Sequence, residues 1–402
     1  MNGIIEKHSN VLSEDTCPLC GSKQLIVFLE ITDVPVHCNV LWSNQDEALK
    51  CPTGDIKLVY CPSCSFVYNV MFDSSRLEYT EAYENALDFS PFFQNYLQSL
   101  ASRLVEGYKL NDKDILEIGC GNGNFLRLLC KLGKNRGVGF DPAFIEQKEQ
   151  ISESQVKFVQ DFYSERYKEH QANLVVCRQT LEHLPNPKNF LKMLRLTISK
   201  GMSPHFFFEV PNAKKIFSDL FVWDIIYEHC SYFTSVSLAY SFLSSGFRVL
   251  ELTEEFESQF LGIHTKVGNQ NTIRSIRKYS SEIYRTASDI ASFNSEFKRK
   301  IKTYKDKIGQ IESKGQRAVV WGAGSKGVTF LNQLKDFQIK YVVDINPRKH
   351  GMYIPGTGQQ IVEPKFLLDY KPEIIIVMNP IYADEIRQIV KNLGLNTQFM
   401  FG

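Results

Sequence analysis

"DILEIGCGNGNFLRLLCKLG", residues 114 to 133, changes its apolar pattern half-way, and that change sets the architecture. The run ILEIG reads as a buried parallel strand, whereas FLRLLCKLG carries apolar residues at helical spacing and stops at Gly133. The turn between them holds Gly119, Gly121 and Gly123, with the acidic Glu117 just ahead of it. This E-x-G-x-G-x-G pattern differs from the G-x-G-x-x-G of dinucleotide binders. A pyrophosphate needs bare amides at a helix N-terminus. A sulfonium amino acid needs close backbone approach and a carboxylate near its ammonium group, and this turn offers that arrangement.

The chain on either side continues the alternation of strand and helix. RGVGFDP is a second strand ending at Asp141, about twenty residues on, where an acid can accept the two ribose hydroxyls of an adenosine. A helix is expected next. VKFVQDFYSE is then a third strand with Asp161 at its tip, suited to an adenine amino group. ANLVVCRQTLEHLPNP gives a fourth strand and a loop holding Gln179 and His183, and HFFFEVPN a fifth that ends at Glu209. Such alternation predicts an α/β fold with a doubly wound parallel sheet and its ligand at the carboxyl ends of the strands. The glycine turn, Asp141, Asp161 and LEHLPNP, in this order, resemble a class I S-adenosylmethionine (SAM)-dependent methyltransferase, assigned to residues 76–265. The resemblance implies SAM as cofactor, held by Glu117, Gly119, Gly121, Gly123, Asp141, Asp161 and Gln179.

Six of the ten cysteines precede residue 65, and none follows Cys230. Bridges spread through a small secreted chain would look different. Cys17 and Cys20 in TCPLCGS, and Cys61 and Cys64 in YCPSCSF, form two Cys-x-x-Cys knuckles. Together they predict a closed Cys₄ site for a structural Zn²⁺ within a module over residues 10–75. His37 and Cys38 are alternative ligands in the excursion between the knuckles. The formal net charge of +1 argues against a nucleic-acid partner. No apolar run reaches the ~18 residues of a membrane span, and the first residues lack a signal or transit pattern. A cytoplasmic monomer acting on a small molecule is expected.

Beyond the core, residues 266–315 alternate charge with scattered apolar positions and predict one or two long solvated helices that bridge domains. Residues 316–402 open a second α/β unit. RAVVWGAGSKGVTFLNQL does carry G-x-G-x-x-G, at Gly322, Gly324 and Gly327, and Asp344 ends the next strand. With only ~85 residues the unit is about half a dinucleotide fold. Lys326 and the basic NPRKHG suit the diphosphate of a substrate, and that reading is preferred to a redox cofactor.

The order of Cys₄ module, methyltransferase core, helical bridge and Rossmann-like C-terminal domain resembles the sugar C-methyltransferases across nearly the whole chain. That family alkylates a carbon of a nucleotide-linked keto-deoxysugar. In YEHCSYFT (227–234) the resemblance implies that Glu228 and His229 match the family's Glu-His pair, with His229 as the base. His183 matches a site histidine after the fourth strand, and Tyr83 a substrate-side tyrosine. A histidine with an ordinary pKa of ~6.5 can remove the proton beside a ketone. The adjacent Glu228 is expected to orient the ring or contact substrate, and nearby phenols, Tyr227 among them, to hydrogen-bond the enolate oxygen. Two departures separate this chain from the family pattern. Ile226 fills the tyrosine slot of Tyr-x-Glu-His, with Tyr227 one place along, and VMNP replaces Leu-Pro-Trp-Asn. O- or N-methylation of another acceptor, and a non-catalytic zinc-ordered nucleotide-sugar binder, are the alternatives.

Overall fold

The computed structural model describes residues 15–77, 83–145, 155–268 and 280–402. The N-terminal stretch before residue 15, most of the helix expected after Asp141 and the first part of the bridge lie outside the described residues.

The central sheet has seven strands. In chain order these are β4 (Asp114–Ile118), β5 (Arg136–Phe140), β6 (Val156–Val159), β7 (Leu174–Arg178), β8 (His205–Pro211), β10 (Phe247–Glu255) and β11 (Phe260–Val267). Across the sheet they run β10-β11-β8-β7-β4-β5-β6. The five expected strands are mutually parallel. The antiparallel hairpin β10–β11 closes the edge beside β8. Strand order reverses between β4 and β7, and the carboxyl ends there carry the glycine turn and Gln179. Such a reversal opens a ligand crevice in doubly wound sheets.

Three helices accompany this sheet. Helix α1 (Pro91–Gly107) starts with proline at its first position, where no N–H is needed, and Ser90 Oγ accepts from Phe93 N at 3.3 Å. Helix α2 (Asn124–Gly133) leaves the glycine turn directly. Helix α3 (Pro187–Leu196) follows the LEHLPNP loop and again begins on proline.

The cysteine module is not self-contained. Its strands β1 (Ile26–Pro35), β2 (Thr53–Cys61) and β3 (Phe66–Asn69) form an antiparallel sheet, which is completed by β9 (Ser231–Tyr232) from the methyltransferase region. Val67 pairs with Tyr232 and Tyr68 with Ser231. The residues straight after His229 are therefore stitched into the module.

The bridge differs from its expected solvated form. Its described part is one helix, α4 (Ser280–Ser313), whose residues Ile290, Phe293, Phe297, Tyr304, Ile308 and Ile311 are buried. These spacings of three, four and seven keep one stripe inward, so the alternating charges occupy only the remaining faces. The stripe joins a core shared by all modules. Phe28 of β1 meets Phe293 edge-on at 5.9 Å, and Trp223 meets Tyr304 and Phe330 at 5.4 and 5.0 Å.

The C-terminal domain is a five-stranded, all-parallel sheet ordered β14-β13-β12-β15-β16. Its strands are β12 (Ala318–Trp321), β13 (Tyr341–Val343), β14 (Gln360–Val362), β15 (Ile374–Val377) and β16 (Gln398–Phe401). Its glycine turn leads from β12 into helix α5 (Ser325–Gln333).

Candidate active site

The first glycine turn is built for close approach. Gly119, Gly121 and Gly123 have φ of 71°, 52° and 78°, left-handed values that only glycine adopts readily. A methyl group on Gly119 would strike Thr180, and one on Gly123 the Phe158 ring. Asp141 clamps the turn, with Oδ2 accepting from Gly121 N at 2.9 Å and Oδ1 from Ala143 N at 2.8 Å. Burial raises its pKa, while these amides pull it back. Each oxygen keeps a second lone pair for a ribose hydroxyl.

Glu117 lies behind the turn, 2% exposed. Its carboxylate accepts from the N–H of Leu126 in the first turn of α2, while Oε2 has no hydrogen-bond partner. Burial pushes it up to about 8. A buried, half-satisfied acid at the mouth of a glycine turn fits the ammonium group of SAM.

Two expected SAM contacts sit differently. The Asp161 carboxylate is taken by Arg166 and Tyr167, with Phe162 N donating to Oδ1 at 2.8 Å. The Gln179 side-chain amide donates to Glu209 Oε1 at 3.2 Å. Glu209 also receives Arg178 at 2.9 Å and the Tyr96 hydroxyl. Residue types alone did not reveal this buried cluster, because an arginine inside a β-strand is normally read as surface.

The expected acceptor-side residues arrive from separate parts of the chain. His183 Nδ1 donates to the carbonyl of Glu228 at 3.0 Å. The His183 and His229 rings meet edge to face at 5.0 Å. The His229 ring is hydrogen-bonded to the backbone of Asp224. Asp224 in turn pairs with Lys326 of the C-terminal glycine turn at 2.7 Å. Burial lowers both histidines below the ordinary value, and for His229 the His183 ring and Lys326 add to this. Both rings are therefore neutral at pH 7.

Glu228 does not act on its neighbour as expected. Its fully buried carboxylate accepts from Cys38 N at 2.9 Å and stands 3.6 Å from His37 Nδ1, so the acid faces His37 while the carbonyl meets His183. Tyr83 reaches the same corner, bridged to Val40, with its ring 6.3 Å from that of His37. Tyr227 turns away from the histidines. Its hydroxyl accepts from Asp73 N at 2.9 Å and donates to Met71 O at 3.5 Å, while its ring covers Gly54. Tyr227 is therefore a packing and hydrogen-bonding latch on the cysteine module. Ile226 is buried in the shared core, and Tyr232 donates to its carbonyl at 3.2 Å. Sequence reasoning missed Asp224 and the pairing of Glu84 with Arg348 at 2.9 Å, whereas Lys326 and NPRKHG are expected near a diphosphate and His37 near the metal.

The four knuckle cysteines gather their sulfurs within 4.8 Å of one another. Cys17 and Cys64 are 3.6 Å apart and Cys20 and Cys61 3.5 Å, far beyond a disulfide bond. A tetrahedron of ~2.3 Å Zn–S bonds needs sulfurs ~3.8 Å apart, so the set fits zinc. Hydrogen bonds from Cys17 pull the Cys20 thiol down to about 7 and the Cys61 thiol lower still.

Comparison with known proteins agrees with this arrangement. Residues 92–252 match the profile of a methyltransferase domain, and residues 261–401 that of a C-methyltransferase C-terminal domain. The chain is an S-adenosylmethionine-dependent methyltransferase. More particularly, it joins a methyltransferase domain to a C-methyltransferase C-terminal domain. The C-methyltransferase NovU of Streptomyces niveus is 23% identical over 92% of this chain and 91% of its own length. A ubiquinone biosynthesis O-methyltransferase of Escherichia coli is 26% identical, over 22% of this chain and 40% of its own length. Among solved structures, a putative SAM-dependent methyltransferase from Listeria monocytogenes is similar at 14% identity and a TM-score of 0.33, covering 44% of this chain and all of its own. Human N-acetylserotonin methyltransferase is 15% identical with a TM-score of 0.35, covering 44% of this chain and 55% of its own. Among the described residues no helix is long and apolar enough to cross a membrane.

Proposed function

We propose that this enzyme methylates a carbon of a nucleotide-linked keto-deoxysugar, with His229 as the general base. The observation that carries the reading is where His229 sits. It is ring to ring with His183, and Asp224, whose backbone it bonds, is paired to Lys326 of the second glycine turn. A base that meets the His183 of the fourth-strand loop on one side and the Asp224–Lys326 pair on the other suits a substrate whose reacting sugar faces the methyl donor while its diphosphate lies toward the C-terminal domain. NovU, a C-methyltransferase over almost the same length, supports carbon as the acceptor.

When bound, SAM supplies an electrophilic methyl group. The residues of the chain make the acceptor nucleophilic. Neutral His229 takes the proton from the carbon beside the ketone, and the carbonyl of Asp224 holds the opposite ring N–H, so the ring keeps the tautomer that presents a lone pair. Tyr83 lines the same corner and its hydroxyl suits a hydrogen bond to the enolate oxygen, whereas neutral His183, with its proton on Nδ1 toward Glu228 O, offers a lone pair that can accept from a substrate hydroxyl. Glu228 positions the 37–38 segment. Glu117, the glycines and Asp141 hold the donor, while Asp161 and Gln179 serve its adenosine end only if they release their present partners. Zn²⁺ on Cys17, Cys20, Cys61 and Cys64 is structural in this reading, and the enzyme works as a cytoplasmic monomer.

The test is His229→Asn, assayed with SAM and a panel of nucleotide keto-sugars. Turnover should fall ~10²–10⁴-fold, with SAM affinity unchanged. Undiminished turnover would return His229 to a packing role. Methylation confined to hydroxyl-bearing acceptors would replace C- with O-methylation.

A further inference from the structure

Next to His229 lies a carboxylate that the reaction above leaves unused. Glu182 is 1% exposed, and neither of its oxygens has a hydrogen-bond partner. An isolated buried carboxylate is costly unless it is paired or bound to a metal. One oxygen of Glu182 and one nitrogen each of His183 and His229 lie within 4.8 Å of one another.

We propose that Glu182, His183 and His229 form a second metal site, distinct from the four cysteines, for one borderline divalent cation of the Zn²⁺, Co²⁺ or Ni²⁺ class. The donor set is two imidazoles and a carboxylate, which such ions favour over Mg²⁺ or Ca²⁺. Each imidazole has the outer partner that metal-binding histidines use. His183 Nδ1 lies 3.0 Å from the carbonyl of Glu228, and His229 is bonded to the backbone of Asp224. A carbonyl can only accept, so each of those nitrogens carries the proton and the opposite nitrogen of each ring carries a lone pair. Bonds of ~2.0–2.2 Å need donors ~3–4 Å apart, so the three donors would draw together on binding.

A cation here occupies the nitrogen with which His229 would take a proton, so cation and reaction exclude each other. That consequence rests on His229 being the base; the binding itself does not.

The experiment uses the full chain with its cysteine site loaded with zinc and excess metal removed, then titrated with Co²⁺. One further equivalent should bind, with weak visible bands and no thiolate charge-transfer band. Glu182→Gln and His183→Asn should each weaken it by ~100-fold or more while leaving the zinc content at one equivalent. No further equivalent, or one that both folded variants retain, overturns the proposal. Should Glu182→Gln fail to fold, His183→Asn alone decides it. Cobalt bound at this site with methyl transfer undiminished keeps the site and removes His229 as the base.

Discussion

The chain contains two glycine turns of nearly the same construction, and they differ in charge. In the methyltransferase core, Asp141 takes the N–H of Gly121 at 2.9 Å and that of Ala143 at 2.8 Å. In the C-terminal domain, Asp344 takes the N–H of Ala323 at 2.8 Å and that of Asn346 at 2.8 Å. In both, a strand-end aspartate ties the turn to the next strand and leaves a helix start facing a sheet's carboxyl edge. Two residues ahead of the first glycine, however, the core has buried Glu117 and the C-terminal domain has buried Val320. The second turn instead carries cations. Lys349 Nζ donates to Ala323 O at 3.1 Å and Lys326 reaches Asp224. One frame thus holds a buried acid and the other holds lysines.

Substitutions can separate the two turns. Gly119→Ala is expected to be the most damaging, since the alanine would have to adopt φ of 71° and push aside Thr180. SAM affinity measured by calorimetry should drop by ~100-fold or more, combining strain with a blocked approach. Retained affinity would mean that the turn does not hold the donor.

The buried acid gives a signature in pH. The folded-state pKa of Glu117, about 8, exceeds its unfolded value of about 4.5. Its stabilising share is therefore complete below pH 4.5 and is lost as pH rises through 8. Relative to Glu117→Gln, the ligand-free wild type should lose stability across this window by up to ~1.4 kcal/mol per pH unit in denaturant melts. A pH-independent difference would place the acid in a solvated setting.

Lys326→Met should raise KM for a nucleotide-linked substrate by about tenfold, as loss of one phosphate contact, with SAM affinity unmoved. An effect on SAM alone would reverse the assignment of the two turns. The mildest change is Gly324→Ala. Gly324 has φ of −98° and open space where a side chain would go, so melting should be unchanged to within ~0.5 kcal/mol. A fall in nucleotide binding with unchanged stability would mark that space as the phosphate's place.

Local pattern made most of the core readable. Strand, glycine turn and helix are specified within residues 114–133, and the strands ending near Asp141, Arg178 and Glu209 are continuous apolar runs bounded by polar ends. The knuckles were readable because Cys-x-x-Cys fixes two thiolates on one turn. Pairings between distant segments were not readable. Ser231 and Tyr232 join the cysteine module's sheet as a two-residue strand, too short to carry a period. The bridge helix displayed its charges in sequence, but its inward stripe has meaning only with Phe28 and Trp223 against it.

The same division runs through the site. By itself the sequence determined the residue types of the donor turn, the four sulfurs and the neighbours Glu228 and His229, because each is a short-range pattern. Tertiary structure alone decided where the side chains went. Glu228 spends its carboxylate on Cys38, Tyr227 turns to Gly54 and Asp73, and Glu182 lies buried against two histidines. Adjacent residues share a backbone but not a direction, and a side chain's partners are fixed by which distant segment packs against it.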